Sequence, residues 1–420
     1  MRTRTFCGRL LLCASIGGAL IVMRTARPLA QTTDLSLSDR VVIASKIYAL
    51  VQQNFAHWEG APRTEVDGAY REYIDRVTRA EDRRAFDLAT MRFIASLHNG
   101  HTQFIDRQLD GRPVKFRLLQ VQNEWVVVNS QDSRLPRGAI VRTLDGHPVD
   151  DFVRDRAQYV AASNDRLARA HVFSYPGLFS ERISVGLKTG NVVVVDRSVP
   201  GDASVPSMVR ASEGRWLRDG RLAYIRVPAF GDPAYERTAI ELIRQFESSP
   251  NLIVDVRGNG GGTTPRQLIA ALMNQPWRTW QETTPQYTAL FDAVGIPSIP
   301  ASRGSRQQSP SSNAYAGRLF VIVDRFCGSA CEDFVMPFKD TGRAVIVGET
   351  TQGSSGNPYR ADLGNGMSVT VGAVRYRFPD GSAFEGVGIT PHVVIDRIVA
   401  DVVNNRDAAL ERAQELAGEQ

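Results

Sequence analysis

The chain has 420 residues, of which 43% are hydrophobic and 23% are charged, the ordinary balance of a soluble globular protein. This length allows two or three folded units whose cores need no disulfide staples. Lysine and arginine number 50 against 45 acidic residues, but no basic stripe with interleaved aromatic side chains occurs. The composition therefore argues against a nucleic-acid-binding protein.

The first predicted element is an export signal over residues 1–30. Three arginines precede an apolar run over 10–23, and small residues follow it; this is the order of a secretory leader. The run is short for a membrane-spanning helix, which needs about 20 residues. Arg24 and Arg27 after the run are unusual in a cleaved leader, so an N-terminal membrane anchor, if the leader is retained, is the alternative.

The leader also accounts for the excess of positive charge. It carries five arginines and no acidic residue, so the chain without it would hold 45 basic and 45 acidic residues. We therefore expect an exported protein, periplasmic or extracellular, that is close to neutral once the leader is removed.

Two segments of different character follow the leader. Residues 31–110 are predicted to form a helical unit, because apolar residues recur at helical spacing around Ile47 and again around Met91. Residues 111–205 carry short β-type runs. The predicted strands of this segment are 114–121, 125–128, 139–144, 183–187 and 192–195. The stretch 136–149 resembles part of a PDZ domain, although a peptide-carboxylate loop is not evident.

Strands alternate with helices over residues 206–400. This order predicts a mostly parallel sheet with helices on its faces, and hence an α/β fold. The predicted strands are 222–227, 252–256 and 319–323, and the predicted helices are 233–247, 264–273 and 332–339.

The remaining segments are predicted as follows. Residues 275–317 form a long loop, which is either a surface insertion or a lid over the site. Two β-type runs at 367–371 and 374–378 form hairpins. A helix from about 402 to 416 makes up the C-terminal unit, residues 401–420.

A run of glycines directly follows the predicted strand at 252–256. The segment 255–263, called the glycine turn below, reads Asp-Val-Arg-Gly-Asn-Gly-Gly-Gly-Thr. Glycines there allow a close backbone approach and leave N–H groups free at a helix start, where they can bind a phosphate or the oxyanion of acyl transfer. It is not a P-loop, since no Gly-Lys-Ser/Thr follows. A purely structural tight turn is the alternative.

A second break, the nucleophile turn at 323–332, contains Cys-Gly-Ser-Ala-Cys between a strand and a helix. This order resembles a nucleophile elbow, which would place Ser329 at a helix N-terminus where the dipole favours negative charge. By itself Ser329 could equally be a helix N-cap. Cys327 and Cys331 flank the serine. They are either small buried side chains in a tight turn or, in an oxidising compartment, a disulfide.

Several ordered motifs resemble the C-terminal processing peptidases and tricorn-core peptidases, the S41 family of serine peptidases. The matching stretches are 252–262, 323–332, 342–351 and 384–391, with 97–102 resembling the histidine motif that precedes the PDZ-like segment of that family. The resemblance implies a ClpP/crotonase-like βα core and hydrolysis of a peptide or protein substrate through an acyl-enzyme. It implies no cofactor, and we predict no metal site because His98 and His101 have no acidic or cysteine partners at ligand spacing.

The resemblance also implies the catalytic roles. Ser329 takes the nucleophile position, His101 the position of the general base and Glu385 that of the group orienting the imidazolium, as in a triad. The oxyanion hole would be formed by the backbone N–H groups of Gly262 and Ala330.

The sequence departs from the family pattern at two positions. The lysine base of the processing branch is Ser354 here, and none of the four lysines of the chain matches it. The serine that precedes the histidine in the tricorn-like branch is Gly100. These departures keep open a non-catalytic peptide- or ligand-binding protein on the same scaffold. A crotonase-like acyl-CoA enzyme is a weaker alternative, since no CoA-binding surface is evident. The sequence does not predict the oligomeric state.

Overall fold

The computed structural model describes residues 34–109, 111–200, 211–286 and 299–419. The predicted leader at 1–30 lies outside the described residues. Across the described ranges no helix combines the length and the apolar character needed to cross a membrane.

The N-terminal unit is a bundle of three helices followed by one strand. Its elements are α1 (Leu37–Asn54), α2 (Arg63–Thr78), α3 (Arg83–Ala95) and β1 (Gln103–Asp106). A capping box at Ser36 and Asp39 starts α1. Tyr73 of α2 stacks on Phe93 of α3 with ring centroids 4.8 Å apart, which fixes the two helices against each other. The helical character predicted for this segment is confirmed, and the strand at its end is an addition.

The second segment is an antiparallel sheet with two short helices. Its elements are β2 (Phe116–Val121), β3 (Glu124–Ser130), β4 (Ile140–Leu144), β5 (His147–Pro148), α4 (Val149–Ala157), α5 (Asp165–His171), β6 (Arg182–Leu187) and β7 (Val192–Asp196). The strand order is β2-β3-β4-β6-β7, with β5 paired to β4. All five strands predicted here are present within three residues of the expected bounds.

The third segment contains the main sheet. In chain order its elements are β8 (Glu213–Arg218), β9 (Leu222–Arg226), α6 (Pro233–Gln245), β10 (Asn251–Asp255), α7 (Arg266–Leu272), β15 (Arg318–Val323), α8 (Ala330–Thr341), β16 (Ala344–Gly348) and β20 (Val393–Val394). The strand order in the sheet is β20-β16-β15-β10-β9-β8. Neighbouring strands are parallel except for the β8–β9 pair. All five residues of β10 are buried, as expected for a strand covered on both faces.

The expected long loop at 275–317 is wrong. The described residues of this segment, 275–286 and 299–317, contain four short strands: β11 (Trp277–Arg278), β12 (Gln281–Gln286), β13 (Ile299–Arg303) and β14 (Gln307–Gln308). These strands are rich in polar residues and pair with each other or with β19 (Arg375–Arg377), which is distant in sequence. Because their stability comes from long-range pairing, the local sequence shows no hydrophobic alternation.

The expected hairpin at 367–378 is also wrong. β18 (Met367–Gly372) pairs with β17 (Pro358–Gly364) and with β1, whereas β19 joins a separate sheet with β12. The predicted C-terminal helix is divided into α9 (Val399–Val403) and α10 (Ala408–Gly418). Between them Asn405 has a φ of 52°, a left-handed conformation that ends a helix.

The pairing of β1 with β18 ties the N-terminal unit to the third segment. Gln103 lies opposite Thr370 in the antiparallel register. At the far end of β1 the guanidinium of Arg83 holds Asp106 through two contacts, Nε to Oδ2 at 2.6 Å and Nη2 to Oδ1 at 2.9 Å. Both side chains are buried. The strand that follows His101 is therefore fixed at both of its ends.

Candidate active site

Ser329 lies in the nucleophile turn between β15 and α8. Its φ of 55° and ψ of −127° are unusual for a residue with a side chain, and its hydroxyl makes no capping hydrogen bond to α8. Backbone strain of this kind is found where a side chain must be aimed. The N–H of Ser329 donates to the carbonyl of Ser354 at 2.8 Å. The hydroxyl is therefore free of the helix and points to the site.

His101 reaches this hydroxyl from the N-terminal unit. Its Nε2 lies 3.0 Å from Ser329 Oγ, and its Nδ1 lies 3.0 Å from Ser354 Oγ. Burial lowers the pKa of His101 to about 4, so the imidazole is neutral at pH 7 and can accept a proton. The structure thus brings together two residues that the sequence separates by 228 positions.

The backbone of His101 is held on both sides. Its carbonyl accepts the hydroxyl proton of Thr370 on β18 at 2.9 Å, and its N–H donates to Asn99 Oδ1 at 3.2 Å. The hydroxyl of Thr102 accepts from Gly372 N at 3.0 Å. These contacts fix the imidazole relative to the third segment, although the residue itself belongs to the first.

Glu385 stands behind this pair. Its Oε1 accepts from Asn99 Nδ2 at 2.8 Å and from Ser163 Oγ at 2.6 Å, and its Oε2 lies 3.8 Å from His57 Nδ1. Burial raises the pKa of Glu385 to about 7.

No hydrogen bond joins Glu385 to His101 within the described residues, and this corrects the expected direct contact of a triad. The cause lies in the neighbours of the imidazole. The hydroxyl of Ser354 is the hydrogen-bond partner of His101 Nδ1, while Asn99 and Ser163 donate to one carboxylate oxygen of Glu385. Sequence reasoning identified Ser354 only as the position of a missing lysine. Nothing in the sequence around Ser354 indicates its contact with His101.

The glycine turn packs directly on the nucleophile turn. A Cβ atom at Gly261 would lie 2.6 Å from Ser329 Cβ and 2.9 Å from Ala330 N, closer than side-chain atoms approach. The N–H of Gly261 is donated to Asn259 Oδ1 at 2.9 Å. Gly262, one of the two predicted oxyanion donors, lines a cavity together with Ser329.

Glu332, three residues after Ser329, has a structural role. Its carboxylate is fully buried and accepts from Thr351 Oγ1 at 2.5 Å, Gly353 N at 2.7 Å and Ser354 N at 3.0 Å. Burial raises the pKa of Glu332 to about 8. The loop 351–354 is thereby attached to the helix that follows the nucleophile.

Cys327 and Cys331 form a disulfide that encloses Ser329 in a five-residue ring. Both side chains are fully buried. Of the two alternatives left open by the sequence, the structure has the bridged one.

A cleft opens beside Ser329. A cavity of about 490 Å³ is lined by Gly262, Ser329 and Tyr376 among others. It shares Tyr376 and three further residues with a second cavity of about 550 Å³, whose apolar lining includes Met273 and Trp280. The two cavities therefore adjoin each other. In the described part of the chain no group of three histidine, cysteine or acidic residues is placed to hold a metal ion.

Residues 221–395 match the family model described as peptidase family S41. The chloroplastic C-terminal processing peptidase of Tetradesmus obliquus is 30% identical over 179 residues, which cover 42% of this chain and 35% of that protein. Tricorn protease of Thermoplasma acidophilum is 28% identical over 199 residues, which cover 46% and 16%. The chain thus matches about a third or less of the length of these curated relatives. The family resemblance predicted from the motifs is confirmed over the matched residues.

Solved structures match a larger part of the chain. Mature CPAF in complex with lactacystin superimposes with a TM-score of 0.73 at 14% identity, over 91% of this chain and 98% of that one. The photosystem II D1 C-terminal processing protease gives a TM-score of 0.50 at 18% identity, over 86% and 93%. At these identities the likeness concerns the fold, and it confirms the predicted α/β fold class.

Proposed function

We propose that this chain, whose residues 221–395 match the model of peptidase family S41, is an exported serine peptidase that hydrolyses peptide bonds through an acyl-enzyme. One observation carries the proposal. The Nε2 of His101 lies 3.0 Å from the hydroxyl of Ser329, which is the distance required for a general base and its nucleophile. The substrate would be a peptide or a protein lying in the cleft beside Ser329.

In the first step the hydroxyl of Ser329 attacks the substrate carbonyl carbon while His101 Nε2 takes the hydroxyl proton. The carbonyl π electrons move to oxygen, and the N–H groups of Gly262 and Ala330 stabilise the resulting oxyanion. The helix that begins at Ala330 adds its positive end to this site. Loss of one such donor lowers turnover by about 10²- to 10³-fold.

In the second step the imidazolium of His101 gives its proton to the leaving amine, and the C–N bond breaks. Water then attacks the ester on Ser329, with His101 again taking the proton and returning it to the serine oxygen. The neutral state of His101 at pH 7 suits both proton acceptances, since its pKa lies at about 4.

In this mechanism Glu385 supports His101 indirectly, through Asn99. It binds the amide of Asn99, whose Oδ1 in turn accepts the backbone N–H of His101. Burial raises the pKa of Glu385 to about 7, and its hydrogen bonds from Ser163 and Asn99 oppose this rise.

Export is supported by the order of basic, apolar and small residues over 1–30. The disulfide between Cys327 and Cys331 is of the kind that persists in oxidising compartments. A periplasmic or extracellular location follows if the leader is cleaved, and a membrane-anchored one if it is retained.

The test is labelling with a fluorophosphonate probe, which reacts with activated serine hydroxyls. The parent should label, Ser329→Ala should not, and His101→Ala should label only at a small residual rate. Ser382→Ala and His147→Ala, which change an exposed serine and an exposed histidine, serve as matched controls and should label as the parent does. Equal labelling of all five proteins would refute the assignment. No labelling of a folded parent would favour the non-catalytic binding protein.

A further inference from the structure

We propose that Ser354 is a positioning residue of the site: its hydroxyl oxygen accepts a hydrogen bond from the Nδ1–H of His101 and so stabilises the imidazolium that forms when Ser329 is deprotonated. The inference rests on the proposed peptidase function. Its geometric basis is the 3.0 Å distance between Ser354 Oγ and His101 Nδ1.

The need for such an acceptor follows from the chemistry of the imidazole. When Nε2 takes a proton from Ser329, both ring nitrogens carry hydrogen and both must donate. Nε2 donates to the serine oxygen from which it took the proton. Nδ1 faces Ser354, whose side chain is only 3% exposed, so water does not replace this acceptor readily. A hydrogen bond to a charged donor in such a place is stronger than one between neutral groups.

Ser354 is fixed by the same elements that carry the nucleophile. Its carbonyl accepts the N–H of Ser329 at 2.8 Å, and its N–H donates to the buried carboxylate of Glu332 at 3.0 Å. Ser329, Ser354 and His101 therefore form a closed ring of contacts, with one backbone and two side-chain hydrogen bonds. A residue that touches both the nucleophile and the base can set the distance between them.

The position of the Ser354 hydroxyl depends on the absence of a side chain at position 100. A Cβ atom at Gly100 would lie 2.7 Å from Ser354 Oγ. Glycine at position 100 and serine at position 354 are thus mutually adapted, and a side chain at 100 would displace the hydroxyl from the imidazole. Serine is also too weak a base to replace His101, so its contribution acts through the histidine.

The experiment is a double-mutant cycle, with the rate constant of fluorophosphonate labelling as the readout. Ser354→Ala should lower the rate by about 10- to 100-fold, the range for a hydrogen bond to a charged group. Ser354→Thr keeps the hydroxyl and should recover most of the rate. In the His101→Ala background, Ser354→Ala should change the residual rate by less than about two-fold, because residues acting as a unit are not additive.

An equal loss in both backgrounds would mean a structural role and would overturn the proposal, as would an unchanged rate in Ser354→Ala. If Ser354→Ala does not fold, Gly100→Ala provides the same test, since its methyl group displaces the hydroxyl while leaving the contacts of Glu332 intact. A labelling rate that survives Gly100→Ala unchanged would also overturn it. Failure of the proposed function is distinguishable, because there His101→Ala alone would leave the rate unchanged.

Discussion

The nucleophile and the base of this site are built in different ways. The glycine turn and the nucleophile turn follow the adjacent parallel strands β10 and β15, with Asp255 opposite Ile322, so they meet because parallel strands end at one edge. The base segment, residues 97–106, comes from another unit and is held by β18 and by the Arg83–Asp106 ion pair. The two turns, called the nucleophile half of the site below, depend on backbone conformation. The base segment, called the base half, depends on long-range packing.

We expect the largest effect from Gly261→Ala, which would disrupt the packing of the two turns in the nucleophile half. Gly261 has a φ of 102°, and a Cβ atom added there would lie 2.6 Å from Ser329 Cβ. Because a methyl group does not fit, the two turns must separate. We expect labelling to fall at least 10³-fold, the upper range for loss of an oxyanion donor. The matched control is Gly260→Ala, where a methyl group would meet nothing within 4 Å. Similar rates for the two variants would contradict the packing described.

The base half is broken by Arg83→Met, which removes the cation and leaves Asp106 buried. Breaking such a pair costs about 3–5 kcal/mol, so the denaturation midpoint should fall clearly. Labelling should fall too, since β1 begins two residues after His101 and holds the segment that carries it. Arg84→Met changes an exposed neighbour and should alter neither quantity. A stable but inactive Arg83 variant would show that the ion pair serves the site alone.

The disulfide allows the nucleophile half to be tested alone, because both of its cysteines lie in the nucleophile turn. Replacing both cysteines by alanine opens a ring of five residues, which should lower the free energy of unfolding by about 2 kcal/mol. A reductant should produce a similar loss in the parent and none in the double variant, as measured by thermal denaturation. Sensitivity of the double variant to reductant would point to another cause.

The smallest effect concerns pH. The pKa of His101 is lowered by burial from 6.5 to about 4, so the base stays neutral and labelling should change by less than about two-fold from pH 7 to pH 5. Below pH 5 the rate should fall as the imidazole takes up a proton. The pH–rate profile of labelling checks this, and an acidic limb centred near pH 6.5 would show that the base half is more open to solvent than described.

The same contrast explains what the sequence could predict. The strands and helices of the main sheet and the two turns followed from buried runs and glycine breaks, which are local signals. These signals left the role of Ser329 open between a helix N-cap and a nucleophile, and the family resemblance supplied the second. His101 and Glu385 came from resemblance, because nothing local marks a residue that pairs across the chain. The strands at 277–308 and the partner of Nδ1 were missed for the same reason. Their determinants are contacts such as β12 with β19, and Ser354 with His101.

The antiparallel pairing of β1 with β18 has a consequence for the time at which activity appears. The carbonyl of His101 is anchored by Thr370, which is synthesised 269 residues later. A growing chain that contains both His101 and Ser329 but ends before residue 370 lacks this anchor for the histidine. Under the proposed function, the complete site is therefore assembled only when the polypeptide is almost finished.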